Sequence, residues 1–155
     1  LDLVAGSALA IHDIQQAIAD FDTTKPIAIL NEGLMRYLTF PEKTTLAKNI
    51  HSVLRRYGGI WITPDISRAA LLKTEDKAIP GHSRKLVALT GKNIQDNLFD
   101  SIEHARLFFE ELGFSIEQHS LLEVTDELVS PGKPVGALKD DESMNEADVF
   151  VMKVR

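Results

Sequence analysis

The sequence predicts an α/β fold, and three observations carry that reading. A short apolar run, Ile27 to Leu30, ends abruptly in Asn31-Glu32-Gly33; a capped amphipathic helix follows from Thr39; a second apolar run, Ile60 to Thr63, ends at Pro64-Asp65. Strand, loop, helix and strand in that order form a parallel unit, and unbroken apolar runs suit strands covered on both faces. In open α/β sheets ligands sit just outside the carboxyl ends of such strands. Glu32 and Asp65 are therefore expected to project from neighbouring strand ends onto one edge, and that edge is the candidate site.

The elements follow in chain order. Leu1 to Ala5 reads as the inside or end of a strand, and Gly6-Ser7-Ala8 as a turn. Ile11, Ile14, Ile18 and Phe21 recur at spacings of three and four, so they share one helical face. Asp22 to Lys25 ends that helix, and Pro26 opens the strand. The next helix is the best specified. Thr39 and Glu42 have capping-box spacing, Pro41 sits in the first turn, and Leu46, Ile50, Val53, Leu54 and Tyr57 line one face. Gly58 is its natural stop, and Arg55 and Arg56 suit the negative end of the helix dipole.

Residues 66 to 100 are less legible: Ile66 to Leu72 could begin a helix, and Pro80 to Lys85 reads as an exposed loop. Asp100, three residues before Glu103, is expected to cap a helix whose face is Ile102, Ala105, Phe108, Phe109 and Leu112, closed by Gly113. Phe114 to Val124 then reads as a strand. A Pro/Gly stretch from Ser130 to Gly136 and an acidic one from Lys139 to Asp148 lead to a terminal strand, Val149 to Val154. The last two strands most simply pair antiparallel.

At 155 residues and 44% hydrophobic content the chain can bury one sizeable core, so a single domain over residues 1–155 is expected. A formal charge of −6 argues against nucleic acid or an anionic membrane as the main partner, because both need a basic face. The absence of cysteine rules out disulfides and thiolate zinc sites and fits a reducing cytoplasm. No apolar run approaches membrane length. His12, His51, His82, His104 and His119 lack ligand spacing, which makes a metal site a poor expectation. The missing initiator methionine and the strand-like start suggest the C-terminal portion of a longer protein.

Parallel βα units finishing in an antiparallel terminal pair are similar to the second half of a class I S-adenosylmethionine-dependent methyltransferase. Ile29-Leu30-Asn31-Glu32-Gly33-Leu34-Met35-Arg36-Tyr37-Leu38, the capped helix, and Tyr57-Gly58-Gly59-Ile60-Trp61-Ile62-Thr63-Pro64-Asp65 sharpen the likeness. They resemble the Glu-Gly-Leu-x-x-Tyr-Leu block and following strand of the branch holding leucine carboxyl methyltransferases and O-methyltransferases of polyketide biosynthesis. The Gly6-Ser7-Ala8-Leu9 turn resembles the segment that approaches the cofactor's adenine. The specific resemblance covers Leu1 to Ile66. It implies a Rossmann-like class I methyltransferase fold lacking its N-terminal half, S-adenosylmethionine as cofactor, and a small-molecule carboxylate or hydroxyl as methyl acceptor. The departure is that no Gly-x-Gly stands anywhere in the chain, whereas such enzymes carry one after their first strand.

The resemblance implies cofactor contacts at Ser7, Ala8, Asn31, Glu32 and Gly33, and an acceptor pocket lined by Tyr37 and Asp65. Glu32 can hold the cationic end of the cofactor through a charge-assisted hydrogen bond; equally it can cap the following turn or pair with Arg36. Gly33 permits close backbone approach or simply a tight turn. Tyr37 is also a candidate for the core with its hydroxyl at the surface, and Ser7 and Ala8 for an ordinary loop. Methyl transfer from a sulfonium needs in-line positioning more than acid-base help, so no catalytic residue is assigned; were a hydroxyl the acceptor, His82 is the histidine to consider as base. Two rival functions stand beside this one: a methyltransferase-like domain that only binds or scaffolds, and an unrelated nucleotide-binding α/β enzyme. A sheet short of its first half leaves an unpaired edge, through which the chain is expected to form a homodimer, swap or aggregate.

Overall fold

A computed structural model describes residues 3–22, 24–66, 85, 87–88, 91, 94–120 and 148–155. These form three α-helices, α1 (Ile11–Ala17), α2 (Phe40–Tyr57) and α3 (Ile102–Glu111), and four strands, β1 (Ile27–Leu30), β2 (Gly59–Thr63), β3 (Phe114–Ser120) and β4 (Asp148–Val154). Two short 3₁₀ turns, Met35–Tyr37 and Ile94–Asn97, complete the elements. Among the described residues no helix is long and apolar enough to cross a membrane. The readings of a helix over Ile66 to Leu72, a loop over Pro80 to Lys85 with His82, and the stretches Ser130 to Gly136 and Lys139 to Asp148 fall outside the described residues except at Ile66, Lys85 and Asp148.

One mixed sheet runs in the order β1-β2-β4-β3. β1 and β2 are parallel, with Ile29 beside Trp61, and α2 is the crossover between them. The terminal strand β4 enters between β2 and β3 and is antiparallel to both, as the expected terminal pair requires. Ile29, Trp61, Met152 and Ile116 therefore make one row across the sheet. Trp61 and Met152 are fully buried there, in one core with Leu46, Ile50 and Leu54 of α2 and Ala105 and Phe109 of α3. The Trp61 ring meets Phe109 and Phe114 edge-on, at 5.5 and 5.6 Å between centroids, which is the favoured aromatic geometry.

α2 forms for the reasons its sequence states. Thr39 Oγ1 accepts from Glu42 N, and the Glu42 carboxylate accepts from Thr39 N at 2.7 Å, closing the capping box. Gly58 ends it at φ +71°. Gly59 has a separate role: at φ +116°, a Cβ there would fall 1.8 Å from the carbonyl oxygen of Ile27, so only glycine lets β2 approach β1 at this rung.

Four expectations are corrected. Of the strand expected over Leu1 to Ala5, the described residues 3 to 5 are not a strand; Leu3 is 96% exposed. The Ile11–Phe21 periodicity yields only the seven residues of α1, with no side-chain cap and no buried residue, and Phe21 lies outside it, exposed. A helix that short holds only through packing. β1 is covered on one face: it is the sheet's edge, and Leu30 is 69% exposed in the row it shares with Ile62, Val151 and Glu117. Finally Ser101, not Asp100, caps α3. Its backbone is extended and its Oγ accepts from His104 N at 3.0 Å, while Asp100 turns to the His104 ring. Of the expected strand Phe114 to Val124, β3 ends at Ser120, and the rest lies outside the described residues.

Candidate functional site

Because β1 and β2 are adjacent and parallel, their carboxyl ends lie side by side, and Asn31-Glu32-Gly33 and Pro64-Asp65 leave the sheet together. The first rung beyond β1 is still made: Asn31 N donates to Ile62 O at 3.2 Å. After it the chain turns sharply at Gly33, φ +68°, which is glycine's conformation.

Asp65 is buried and faces back into that turn. Its Oδ1 accepts from Gly33 N at 2.7 Å, and its Oδ2 accepts from Leu34 N at 2.6 Å, Met35 N at 3.1 Å and Asn31 Nδ2 at 2.8 Å. The network continues inward. Thr63 Oγ1, fully buried, accepts from Asn31 Nδ2 at 3.1 Å and from Asp65 N at 3.0 Å. Asn31 Oδ1 accepts from Trp61 Nε1 at 2.6 Å. A buried indole N–H needs a partner, and Asn31 supplies it from the neighbouring strand.

Glu32 has the opposite setting. It is exposed, and its carboxylate has no hydrogen-bond or ion-pair partner among the described residues; the Arg36 pairing that its spacing allows does not form. Gly33 is open too, with no atom within 4 Å of where a Cβ would stand. Tyr37 is half-buried and packs against Ile94 and Leu98 beside the second 3₁₀ turn.

The Ser7-Ala8 turn is held from below. Ser7 N donates to Asp13 Oδ2 at 2.8 Å, Ser7 Oγ accepts from Leu9 N at 3.3 Å, and Ala8 O accepts from Asn49 Nδ2 of α2 at 3.1 Å. Ala8, Leu9 and Leu34 pack on the same core that carries Trp61. The structure thus brings Asn31, Glu32, Gly33 and Asp65 into one loop cluster and ties Ser7-Ala8 to α2, while Tyr37 turns toward Ile94 and Leu98. A groove lined by Phe21, Asp22, Lys25, Pro26, Ile27 and Ala28 opens at the amino end of β1, away from this cluster. Its charged groups satisfy one another, Lys25 Nζ standing 3.4 Å from Asp22, so the available chemistry stays at the strand's other end.

No family model and no curated protein matches this chain. Its own donor set therefore has to be tested against the cofactor that the sequence resemblance implies. One group fits: Glu32 offers an unspent carboxylate to a cation. The polar atoms of Asn31 and Asp65 are used within the protein, and so are the Ser7 amide and hydroxyl.

Trp61, Thr63 and Lys43 are the residues sequence reasoning missed. The signal for Lys43 was present, since it precedes Leu46, Ala47 and Ile50 at stripe spacing. It is buried, its Nζ donates to Leu38 O and, at 2.6 Å, to Asn97 O, and it lies 5.0 Å from the Phe40 ring centroid. Lys43 thereby fastens the start of α2 to the second 3₁₀ turn.

Proposed function

We propose that this chain belongs to an S-adenosylmethionine-dependent O-methyltransferase acting on a small-molecule carboxylate or hydroxyl. The observation that carries the reading is Glu32: an exposed carboxylate with no partner among the described residues, at the carboxyl end of a parallel strand, on a turn whose Gly33, Leu34 and Met35 amides already serve Asp65. The cofactor's transferable methyl sits on a sulfonium and its amino-acid end carries an ammonium, so an anion at a strand end suits it. Support also comes from the sheet, in which parallel β1 and β2 are followed by an antiparallel terminal pair. Transfer from a sulfonium releases a neutral thioether, so a carboxylate acceptor needs no base, only alignment. A Rossmann-like fold and a cytoplasmic location go with this reading.

Calorimetric titration with S-adenosylhomocysteine tests it. Heat with a dissociation constant in the micromolar range is the expected outcome. Glu32→Ala should weaken binding by about 10- to 150-fold, the equivalent of about 1.5–3 kcal/mol for one charge-assisted hydrogen bond. Absence of heat from this chain and again from the chain extended upstream would overturn the assignment. A second reading, a methyltransferase-like domain that binds or scaffolds without catalysis, is favoured by the lack of any Gly-x-Gly in the chain. It predicts a cooperatively folded chain with no response to the cofactor. A nucleoside phosphate or nicotinamide binding more tightly than S-adenosylhomocysteine would favour the nucleotide-binding rival.

A further inference from the structure

Three nearly successive backbone N–H groups turned to one side of a loop make a nest that ordinarily attracts an anion. The loop after β1 has that form, since the amides of Gly33, Leu34 and Met35 converge. Here the anion is the protein's own. Asp65 fills the concavity with both carboxylate oxygens and also takes the Asn31 amide, so the bonds fall at 2.6–3.1 Å. Hydrogen bonds to an ionised acceptor are about twice as strong as neutral ones. The acid is fixed in turn by its own N–H on Thr63 Oγ1, and Asn31 is fixed by Trp61 Nε1, so the loop is pinned from the core outward.

Two chemical consequences follow from a nest that is already filled. An external phosphate finds the Gly33, Leu34 and Met35 amides already taken and meets the Glu32 carboxylate instead. And the backbone of Glu32, between the Asn31 and Gly33 anchors, is held at a set position before any ligand arrives, so less of the loop remains to be ordered on binding.

We infer that Asp65 is a positioning residue: by occupying the loop's anion nest it holds Glu32 in place for a cationic ligand end and closes the same loop to phosphates. This rests on the cofactor reading above, and it moves Asp65 from the acceptor pocket to the support of the cofactor loop. The chain's single tryptophan provides a reporter, because its indole N–H belongs to the network.

The test combines amide exchange and binding on the full chain. In Asp65→Asn, exchange at Gly33, Leu34 and Met35 should quicken by about 10-fold or more and the indole N–H resonance should shift. Affinity for S-adenosylhomocysteine should fall by about 10-fold while Glu32 remains in the sequence. Glu32→Gln should lower affinity yet leave exchange at the three amides unchanged, and adding Asp65→Asn to it should lower affinity little further, whereas a merely structural role for Asp65 would weaken binding equally with or without Glu32. Should Asp65→Asn fail to fold, Thr63→Val withdraws the same support more gently and should give the same pattern at smaller amplitude. Unchanged exchange overturns the clamp. Quicker exchange with unchanged affinity overturns the positioning role alone. A wild-type chain that is silent to S-adenosylhomocysteine, alone and when extended upstream, removes the cofactor reading and the positioning role with it, while the exchange data still report on the clamp. Shifts of the three amides on adding inorganic phosphate to the wild type would overturn the closed nest.

Discussion

The ends of β1 and β2 carry one acidic residue each, a few residues beyond neighbouring parallel strands, and the two acids meet opposite fates. Asp65, 8% exposed, accepts from three backbone amides and one side-chain amide, whereas Glu32 is exposed with no partner among the described residues. The difference comes from what surrounds them. Asp65 follows a buried strand end, Trp61 and Thr63, and its backbone is drawn inward by the Thr63 hydroxyl. Glu32 follows the exposed Leu30 on the outermost of the described strands and lies on the outside of a glycine turn. The same functional group is structural where the sheet is covered and available where it is not.

The sharpest attempt to break that contrast is Asp65→Ala. It strands three amides and Asn31 at once, and stability should fall by about 3–4 kcal/mol in urea denaturation; a loss below about 1 kcal/mol would mean that the network contributes little. Thr63→Val preserves shape but removes the acceptor shared by Asn31 and Asp65, so about 1–2 kcal/mol is expected from the same measurement. Glu32→Ala should leave stability within about 0.5 kcal/mol, since no partner is lost. A larger change would show that Glu32 is structural after all.

A third carboxylate calibrates the pair. The Thr24 hydroxyl, donating to Asp22 Oδ1 at 2.6 Å, and then the Thr24 amide hold Asp22 below the ordinary carboxylate value, although the residue is exposed. Because the folded value is the depressed one, any stability it contributes is present above the unfolded value and is lost as pH falls through the folded value. Thr24→Ala should raise the Asp22 midpoint in a carboxylate titration followed by NMR; an unmoved midpoint would discount the hydroxyl.

Legibility in the sequence followed the range of the interactions. α2 was readable residue by residue because its cap, its apolar stripe and its glycine stop are set by neighbours within one or two turns. The β1 and β2 runs were readable from composition, and the antiparallel terminal pair from order along the chain. The cap of α3 was misplaced by one residue because Asp100 and Ser101 are both capable, and the His104 ring took the aspartate. Periodicity over Ile11 to Phe21 overstated α1, since a stripe forms a long helix only where something covers it.

What local chemistry specified was therefore the strand-loop-helix-strand unit and the position of two acids at neighbouring strand ends. Tertiary structure alone assigned them their roles. Glu32 and Asp65 carry the same carboxylate and differ in sequence by one methylene and by their neighbours, and neither spacing nor propensity records that Asp65 would reach back more than 30 residues to Gly33, Leu34 and Asn31. Burial and pairing across strands are properties of the folded sheet: a carboxylate withdrawn from water must find donors, and only the fold decides which of the two acids is withdrawn.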